Sequence, residues 1–234
     1  MNAKLDWSSL REEVFRDNLL KKKSNRWIGH LVQCFQRRYV ARHGMLPDVA
    51  NLSRYVSMLD SSSARIQVLY QYICESDSFV DLFVTDLVGD NLARYGAFRL
   101  TISVYDDFVA RESQSHPEMK HWSRGTIKKI RSDLFAFLRS SGLMERHPSV
   151  TVRKFLIRPE PFAFLLYGLL SRNLDAETVL RSRLWNRYFL SRGEIEGLLA
   201  ECQVRGWLQF RSLGSISELV LRFGSLEEWL DALE

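Results

Sequence analysis

The sequence contains no long apolar run and no pair of closely spaced cysteines. Its longest nearly unbroken apolar stretch, residues 162–170, is far shorter than the ~20 residues that a helix needs to cross a bilayer, so we expect no membrane span. Cys34, Cys74 and Cys202 are far apart, which argues against a disulfide framework and against a zinc ribbon. We expect all three to be buried thiols.

Motifs that mark enzymes are missing as well. The sequence has no GxxxxGK[ST] phosphate loop, no GxGxxG, no HExxH and no GxSxG. His116 and His121 are close together, but no cysteine pair lies near them to complete a zinc site. We therefore expect a protein that is not an enzyme and that holds neither a cofactor nor a metal. The N-terminal residues lack the apolar core of an export signal, so we expect a cytoplasmic protein.

The residues that are present allow a substantial core. The chain has 234 residues, of which 46% are hydrophobic, and its net charge of +5 with a pI near 9.2 is compatible with a polyanionic partner. We divide it into an N-terminal helical domain at residues 1–115, a winged-helix-like DNA-binding unit at residues 116–171 and a C-terminal helix–hairpin–helix unit at residues 172–234. The last of these is a candidate second winged helix.

Residues 121–159 predict a helix followed by a β-hairpin. Ser123 is a suitable N-cap for the helix, and Gly142 is placed to end it. The apolar residues that share one face of this helix are Ile127, Ile130, Leu134, Phe137 and Leu138. Residues 143–146 and 150–157 are short β-prone runs. This order is the winged-helix pattern, so the sequence predicts a mainly α fold, a helical bundle with winged-helix-like helix plus β-hairpin units.

The same stretch is strongly basic, with nine lysine and arginine residues against two acids. Arg124, Lys128 and Arg131 follow a 4, 3 spacing and share a second helical face, which is free to meet phosphates. The candidate DNA contacts in this stretch are Arg124, Lys128, Lys129, Arg131, Arg153 and Lys154. The alternative is that these cations are the solvated outer residues of an ordinary amphipathic helix.

A second basic cluster lies near the N-terminus, where no acid occurs from residue 18 to residue 47. The apolar spacing predicts a first helix over residues 8–23 and a second helix, capped by Ser24, that packs through a side bearing Trp27 and Phe35. The residues of the second helix that form a polar stripe suited to a phosphate backbone are Arg26, His30, Gln33 and Arg37. The candidate DNA contacts in this cluster are Lys22, Lys23, Arg26, Arg37 and Arg38. A solvated face with cations near a helix C-terminus is the alternative.

The order of helix, glycine and hairpin occurs a second time in the C-terminal third. Ser191 and Glu194 match a capping box, Gly206 is placed to end the helix, and residues 207–223 predict a hairpin with its turn at residues 213–215. This second copy is less basic than the first. It is therefore a weaker polyanion surface, and a structural role or a contact with a partner protein stays open.

Several blocks of the sequence resemble the BrxA proteins of BREX bacteriophage-exclusion systems. The points of match are Asn18-Leu19-Leu20, Trp122 with residues 126–130, and Gly142-Leu143. The similarity covers roughly residues 8–170. It implies a small, mostly helical accessory protein that binds double-stranded DNA, has no catalytic activity of its own and works beside a DNA methyltransferase, an ATPase and other defence components.

Two hypotheses about function remain. In the first, the protein binds duplex DNA mainly through phosphate contacts, using the helix capped by Ser123 and its hairpin with help from the N-terminal cluster. In the second, it is an assembly adaptor whose acidic middle and C-terminal third contact other defence proteins without direct DNA binding. Phosphate contacts make affinity fall steeply with salt, so a salt series on plain duplex DNA distinguishes the two.

Overall fold

Helices dominate the chain, whose structure is a computed structural model that describes residues 7–41, 44–59, 61–171, 174–213 and 216–234. The first part folds into α1 (Trp7–Arg16), α2 (Asn25–Phe35, continued by a π-helical turn at Gln36–Val40), α3 (Val49–Met58), α4 (Ser62–Ser76), α5 (Ser78–Leu82, continued by a π-helical stretch at Phe83–Gly89) and α6 (Asp90–Tyr95). The middle part contains β1 (Ala97–Arg99), α7 (Ile102–Ser115), a 3-10 helix at Pro117–His121, α8 (Arg124–Ser141) and β2 (Thr151–Arg153).

The last part begins with the most deeply buried helix. Its elements are α9 (Pro159–Leu170), α10 (Ala176–Leu180), a 3-10 helix at Arg183–Tyr188, α11 (Arg192–Val204), β3 (Leu208–Leu213), β4 (Ile216–Leu221) and α12 (Leu226–Leu233). Two small antiparallel sheets, β1 with β2 and β3 with β4, accompany these helices. The predicted fold class, mainly α with β-hairpin units, is therefore confirmed.

Helix α9 lies at the centre of the hydrophobic core and packs against α4, α10, α11 and α12. The apolar run at residues 162–170 supplies its buried residues, as a helix that is apolar on all sides must be enclosed. Gly168 is required there because a Cβ at this position would lie 2.6 Å from Cγ of Pro47. One cluster of buried side chains runs from Leu46 to Leu230. The division into three domains stays a prediction.

The first predicted hairpin forms, but it is shorter than predicted and gains a third strand. The backbone N–H of Arg153 donates to the carbonyl of Leu143 at 2.9 Å, and that of Glu145 donates to Thr151 at 3.0 Å. The strand β2 ends at Arg153 and does not extend to residue 157. On its other side β2 pairs with β1, with Phe98 opposite Val152.

The strand β1 lies between the end of α6 and the start of α7. Gly96, at φ 70°, ends α6, and the side chain of Thr101 caps α7 by accepting from the N–H of Val104 at 3.4 Å. Residues 97–99, which lie between these two signals, are extended because β2 offers them backbone partners. The hairpin of β3 and β4 is confirmed. Of its predicted turn at residues 213–215, Leu213 ends β3, and residues 214–215 lie outside the described residues.

The N-terminal helices also differ from their prediction. Helix α1 ends at Arg16 because Asn18 adopts a left-handed conformation at φ 46°. In α2 the buried residues are Ile28 and Val32, whereas Trp27, expected on the packed side, is 58% exposed. No helix in the described ranges has both the length and the apolar character needed to cross a membrane.

Candidate nucleic-acid interface

Helix α8 begins and ends where its sequence predicts. The hydroxyl of Ser123 accepts from the N–H of Thr126 at 3.1 Å, and Gly142, at φ 86°, closes the helix with a bond from its N–H to the carbonyl of Arg139. The predicted apolar face turns inward, with Leu134 and Leu138 fully buried. Ile127 and Ile130, in the first half of the helix, are only half-buried against the core.

The predicted basic face of α8 is exposed at Arg124 and Lys128 but not at Arg131. The Arg131 side chain is only 17% exposed, and its guanidinium lies 3.3 Å from a carboxylate oxygen of Asp106 on α7. Residue 131 therefore lies on the side of α8 that faces α7. Sequence spacing places three cations on one face, but the neighbouring helix covers the third.

Lys129 and Asp133 form an ion pair one helical turn apart, at 2.9 Å. Both side chains are more than 60% exposed, so solvent screens the pair. Such pairs stabilise a helix by only about 0.3–0.5 kcal/mol. Lys129 can exchange this partner for a phosphate at little cost.

The two candidate cations at the end of the hairpin, Arg153 in β2 and Lys154 directly after it, point in different directions. Arg153 is 66% exposed and lies 3.1 Å from Glu145 on the facing segment. Lys154 is 25% exposed, and its ammonium lies 2.5 Å from Glu194 in the first turn of α11. Neighbouring residues in an extended chain point to opposite sides, which separates the two. Lys154 therefore links the hairpin to the C-terminal part of the protein.

Two exposed cations were missed as candidate contacts. Arg146 lies in the turn of the first hairpin, and Lys120 lies in the 3-10 helix before α8. Lys120 borders a groove between α7 and α8 that also includes Arg124 and Lys128, above a floor that contains Met119. The signal for Arg146 was available, because a basic residue beside the predicted turn of a wing is well placed to reach a phosphate.

The N-terminal candidates lie on and before α2. Lys22, Lys23 and Arg26 are exposed. Arg37 is also exposed, and its guanidinium lies 3.7 Å from Asp77, the residue that caps α5. Arg38 is half-buried, and its Nε is buried without a hydrogen-bond partner in the described part of the chain.

The N-terminal cluster reaches the α8 region through α5. Phe79 follows Asp77 by two residues, and its ring packs edge-on against Trp122 with the ring centroids 5.0 Å apart. Trp122 lies two residues before the first residue of α8. The structure therefore brings Arg37 near the start of α8 through intervening side chains, without direct contact between the two sets of cations in the contacts described.

The cysteine and acidic side chains do not form a metal centre in the described residues, where no group of three or more His, Cys, Asp or Glu is arranged to hold an ion. Cys74 and Cys202 are buried as predicted, whereas Cys34 is only half-buried. Burial raises the pKa of the Cys202 thiol to about 12. These two buried thiols are therefore protonated near neutral pH and serve as small apolar side chains.

Comparison with known proteins identifies a family for most of the chain. A family model described as BrxA matches residues 1–167, which includes both basic clusters, α8 and the first hairpin. The match ends inside α9, so α10 to α12 lie beyond it. No curated protein matches the chain.

Proposed function

The chain belongs to the BrxA family, and from this premise we propose that it is a double-stranded-DNA-binding accessory protein of a BREX phage-defence system, without catalytic activity of its own. Family membership itself associates the chain with phage defence. The proposal adds the ligand, the mode of binding and the partners. Binding is mainly through phosphates, and the protein works beside other components of the system, such as a methyltransferase and an ATPase.

The order of elements from α6 to β2 supports this proposal. Helix α6, strand β1, helices α7 and α8, residues 143–145 and β2 follow one another as helix, strand, helix, helix and hairpin. In a winged helix of this order the last helix enters the major groove and the hairpin contacts the backbone. We assign the first role to α8 and the second to the turn at residues 146–149.

The observation that carries the proposal is the pair of exposed cations in the first half of α8. Arg124 is the first residue of the helix, and Lys128 lies one turn later. Neither contacts an acid in the part of the chain that the structure describes. A cation at a helix N-terminus opposes the helix dipole and costs about 0.3–1 kcal/mol. Arg124 is therefore poorly explained by helix stability and well explained by a phosphate partner.

Ion pairs elsewhere in the same region favour the adaptor hypothesis as the second candidate. Of the six candidate cations between residues 124 and 154, the four that have an acidic partner are Lys129, Arg131, Arg153 and Lys154. If all four stay paired, the surface offers few charges to DNA. Arg124 and Lys128 are then the two candidate cations of this stretch that still need an explanation. Under the adaptor hypothesis they serve only to keep the protein in solution.

The decisive experiment measures affinity for a plain duplex by fluorescence anisotropy across a salt series. In the R124A/K128A variant we expect the log-log slope to fall by about 2, because each lost phosphate contact removes about 0.9 from it. In R131A we expect little change, since Arg131 is held by Asp106. The matched control is R181A/R211A, which removes two exposed cations from the C-terminal third and leaves the slope unchanged.

Other outcomes would decide against the proposal. An unchanged slope in R124A/K128A, with the variant folded by circular dichroism, would favour the adaptor hypothesis or move binding to the N-terminal cluster.

The proposed lack of catalysis rests on the missing sequence motifs. Its test is incubation of the protein with supercoiled plasmid, Mg²⁺ and ATP. We expect the plasmid and the ATP to remain intact.

A further inference from the structure

The connection between α1 and α2 is a closed turn with a strained backbone. Asn18 and Lys21 both have left-handed conformations, at φ 46° and φ 50°. The Asn18 side chain accepts from the N–H of Lys22 at 2.9 Å and donates to its carbonyl at 3.0 Å, while the N–H of Lys21 donates to the Asn18 carbonyl at 2.7 Å. Three hydrogen bonds thus fix a turn in which Lys21 holds a conformation that lysine rarely adopts, and such strain tends to occur at functional sites.

This turn presents apolar side chains to solvent. Leu19 is 51% exposed and Leu20 is 38% exposed, and we call this pair the apolar tip. Trp27, in the first turn of α2, is 58% exposed. A single exposed leucine is ordinary, but adjacent exposed leucines held on a fixed turn indicate a contact surface.

The chain that follows the apolar tip is basic, and the acid that precedes it, Asp17, is paired with Arg16 at 2.9 Å. Lys21, Lys22, Lys23 and Arg26 are all exposed, and no acid occurs between residues 18 and 47. The polar stripe of α2, which begins at Arg26, continues to Arg37 along the exposed side of the helix. A partner that complements this surface must be anionic along a line and must accept an apolar wedge at one end.

We propose that the apolar tip is a wedge that enters the minor groove of duplex DNA and bends it, while the flanking lysines and the stripe of α2 hold the backbone. Proteins that bend DNA through the minor groove insert leucine and similar residues between base steps, with cations at either side. The inference rests on the proposed DNA binding and assigns to it a second contact, away from α8.

An anionic lipid surface shares part of this chemistry but fits the structure less well. An interfacial helix lies with its apolar face in the membrane. In α2 the apolar residues Ile28 and Val32 face the protein interior, and the exposed side is polar apart from Trp27 and Phe35. Only the tip and Trp27, at one end of the helix, would reach the lipid, which leaves the cations farther along α2 without a role.

The test measures energy transfer between dyes at the two ends of a duplex of about 30 base pairs, with the full-length protein. We expect the wild-type protein to raise the transfer efficiency. The L19S/L20S variant should lose most of that rise and bind about tenfold more weakly, with an unchanged salt slope because no charge is removed. The matched control is V204S/V220S, which removes two exposed valines from the C-terminal third and should bend the duplex like the wild type.

The outcomes separate this inference from the proposed function. If the wild type does not bind the duplex, the proposed function fails and this inference fails with it. If it binds and L19S/L20S bends the duplex as strongly as wild type, only the wedge is wrong. Sedimentation with anionic phosphatidylserine vesicles that depends on Leu19 and Leu20, together with unchanged DNA bending in the variant, would assign the tip to lipid and overturn the wedge.

Discussion

The α8 unit (residues 90–154) and the α11 unit (residues 176–221) both end in a helix, a glycine and a hairpin, but they differ in the charge of the helix before the hairpin. Both helices begin at a capping serine, and both are followed by a glycine with positive φ, Gly142 and Gly206. Helix α8 has five cations and one acid, Asp133, whereas α11 has one cation and three glutamates. The framework is common to both, and the exposed faces are not.

The first turns of these helices show the same contrast. Helix α11 has Glu194 in its first turn, which complements the helix dipole and completes a capping box with Ser191. Both helices begin with an arginine, but Arg192 of α11 lies 2.8 Å from Glu177, whereas α8 has no acid in its first turn and Arg124 contacts no acid in the described residues. The α11 unit thus follows the rules for helix stability where the α8 unit departs from them. Departures of this kind are expected at functional surfaces.

The two units are nevertheless parts of one packed body. Arg187, in the 3-10 helix before α11, is 2% exposed, and its guanidinium donates to Asp81 at 2.6 and 3.0 Å and also to Glu75. Burial lowers the pKa of Arg187, but the hydrogen bonds to the two carboxylates outweigh burial and raise it. The α11 unit is therefore anchored to the first half of the chain by a buried ionic cluster.

The largest expected effect comes from breaking that anchor. We expect R187A to lower the free energy of unfolding by about 3 kcal/mol or more, because two carboxylates lose the cation that neutralises them in a largely buried site. The measurement is urea denaturation followed by circular dichroism. The control is R183A: Arg183 lies 3.8 Å from the same Glu75 but is 70% exposed, so its loss should change stability by no more than about 0.5 kcal/mol. Equal effects in the two variants would show that the anchor is unimportant.

A smaller effect is expected from removing the two capping serines. Replacing an N-cap serine by alanine typically costs about 1 kcal/mol. We expect S191A to cost more than S123A, because the Ser191 hydroxyl caps the N–H of Glu194 and also donates to the Glu194 carboxylate at 2.8 Å. The Ser123 hydroxyl caps the N–H of Thr126, and its other partner is the neutral hydroxyl of Thr126. Urea denaturation of both variants gives the difference. A greater loss in S123A would contradict the view that the α11 unit is the one built for stability.

Local signals explain which parts of the fold were predictable. The caps at Ser123 and Ser191, the glycines that end α8 and α11, and the second hairpin all depend on residues within a few positions of one another. Asn18 is a local signal that was overlooked, because asparagine tolerates the left-handed conformation that ends α1. Strand β1 was not predictable in this way, since its partner β2 follows about fifty residues later.

The candidate site shows the same division. Helical spacing identified the exposed Arg124 and Lys128, because a face of a helix is a local property. It misjudged Arg131, whose partner Asp106 lies 25 residues earlier on another helix. Lys154 is likewise paired with a residue of another helix, Glu194, which lies 40 residues later. A periodic pattern states which residues share a face, but only tertiary packing decides which faces reach solvent.

The smallest expected effect concerns the contact between the two units, Lys154 with Glu194. In a double-mutant cycle of K154M and E194Q we expect a coupling energy of about 0.5–1 kcal/mol near pH 7, because the pair is close but partly exposed. Burial raises the pKa of Glu194, but its bonds to Lys154 and Ser191 prevail and lower it. A lowered pKa in the folded state means that this stabilisation is fully present above the unfolded pKa of about 4.3 and is lost as the pH falls through the lower folded pKa, so the coupling should decline only in acid.

Substitutions at Lys154 and at its neighbour Arg153 test whether DNA binding belongs to the α8 unit alone. K154M should leave the salt slope of DNA binding unchanged, because Lys154 is directed to α11. R153M, at the neighbouring residue, should lower the slope by about 1, because Arg153 is exposed and its surface pair with Glu145 exchanges readily for a phosphate. The two variants remove the same charge from adjacent positions, so general electrostatics cannot produce a difference between them. A fall in slope for K154M would mean that Lys154 leaves Glu194 to bind DNA, and the contact between the units would then compete with DNA.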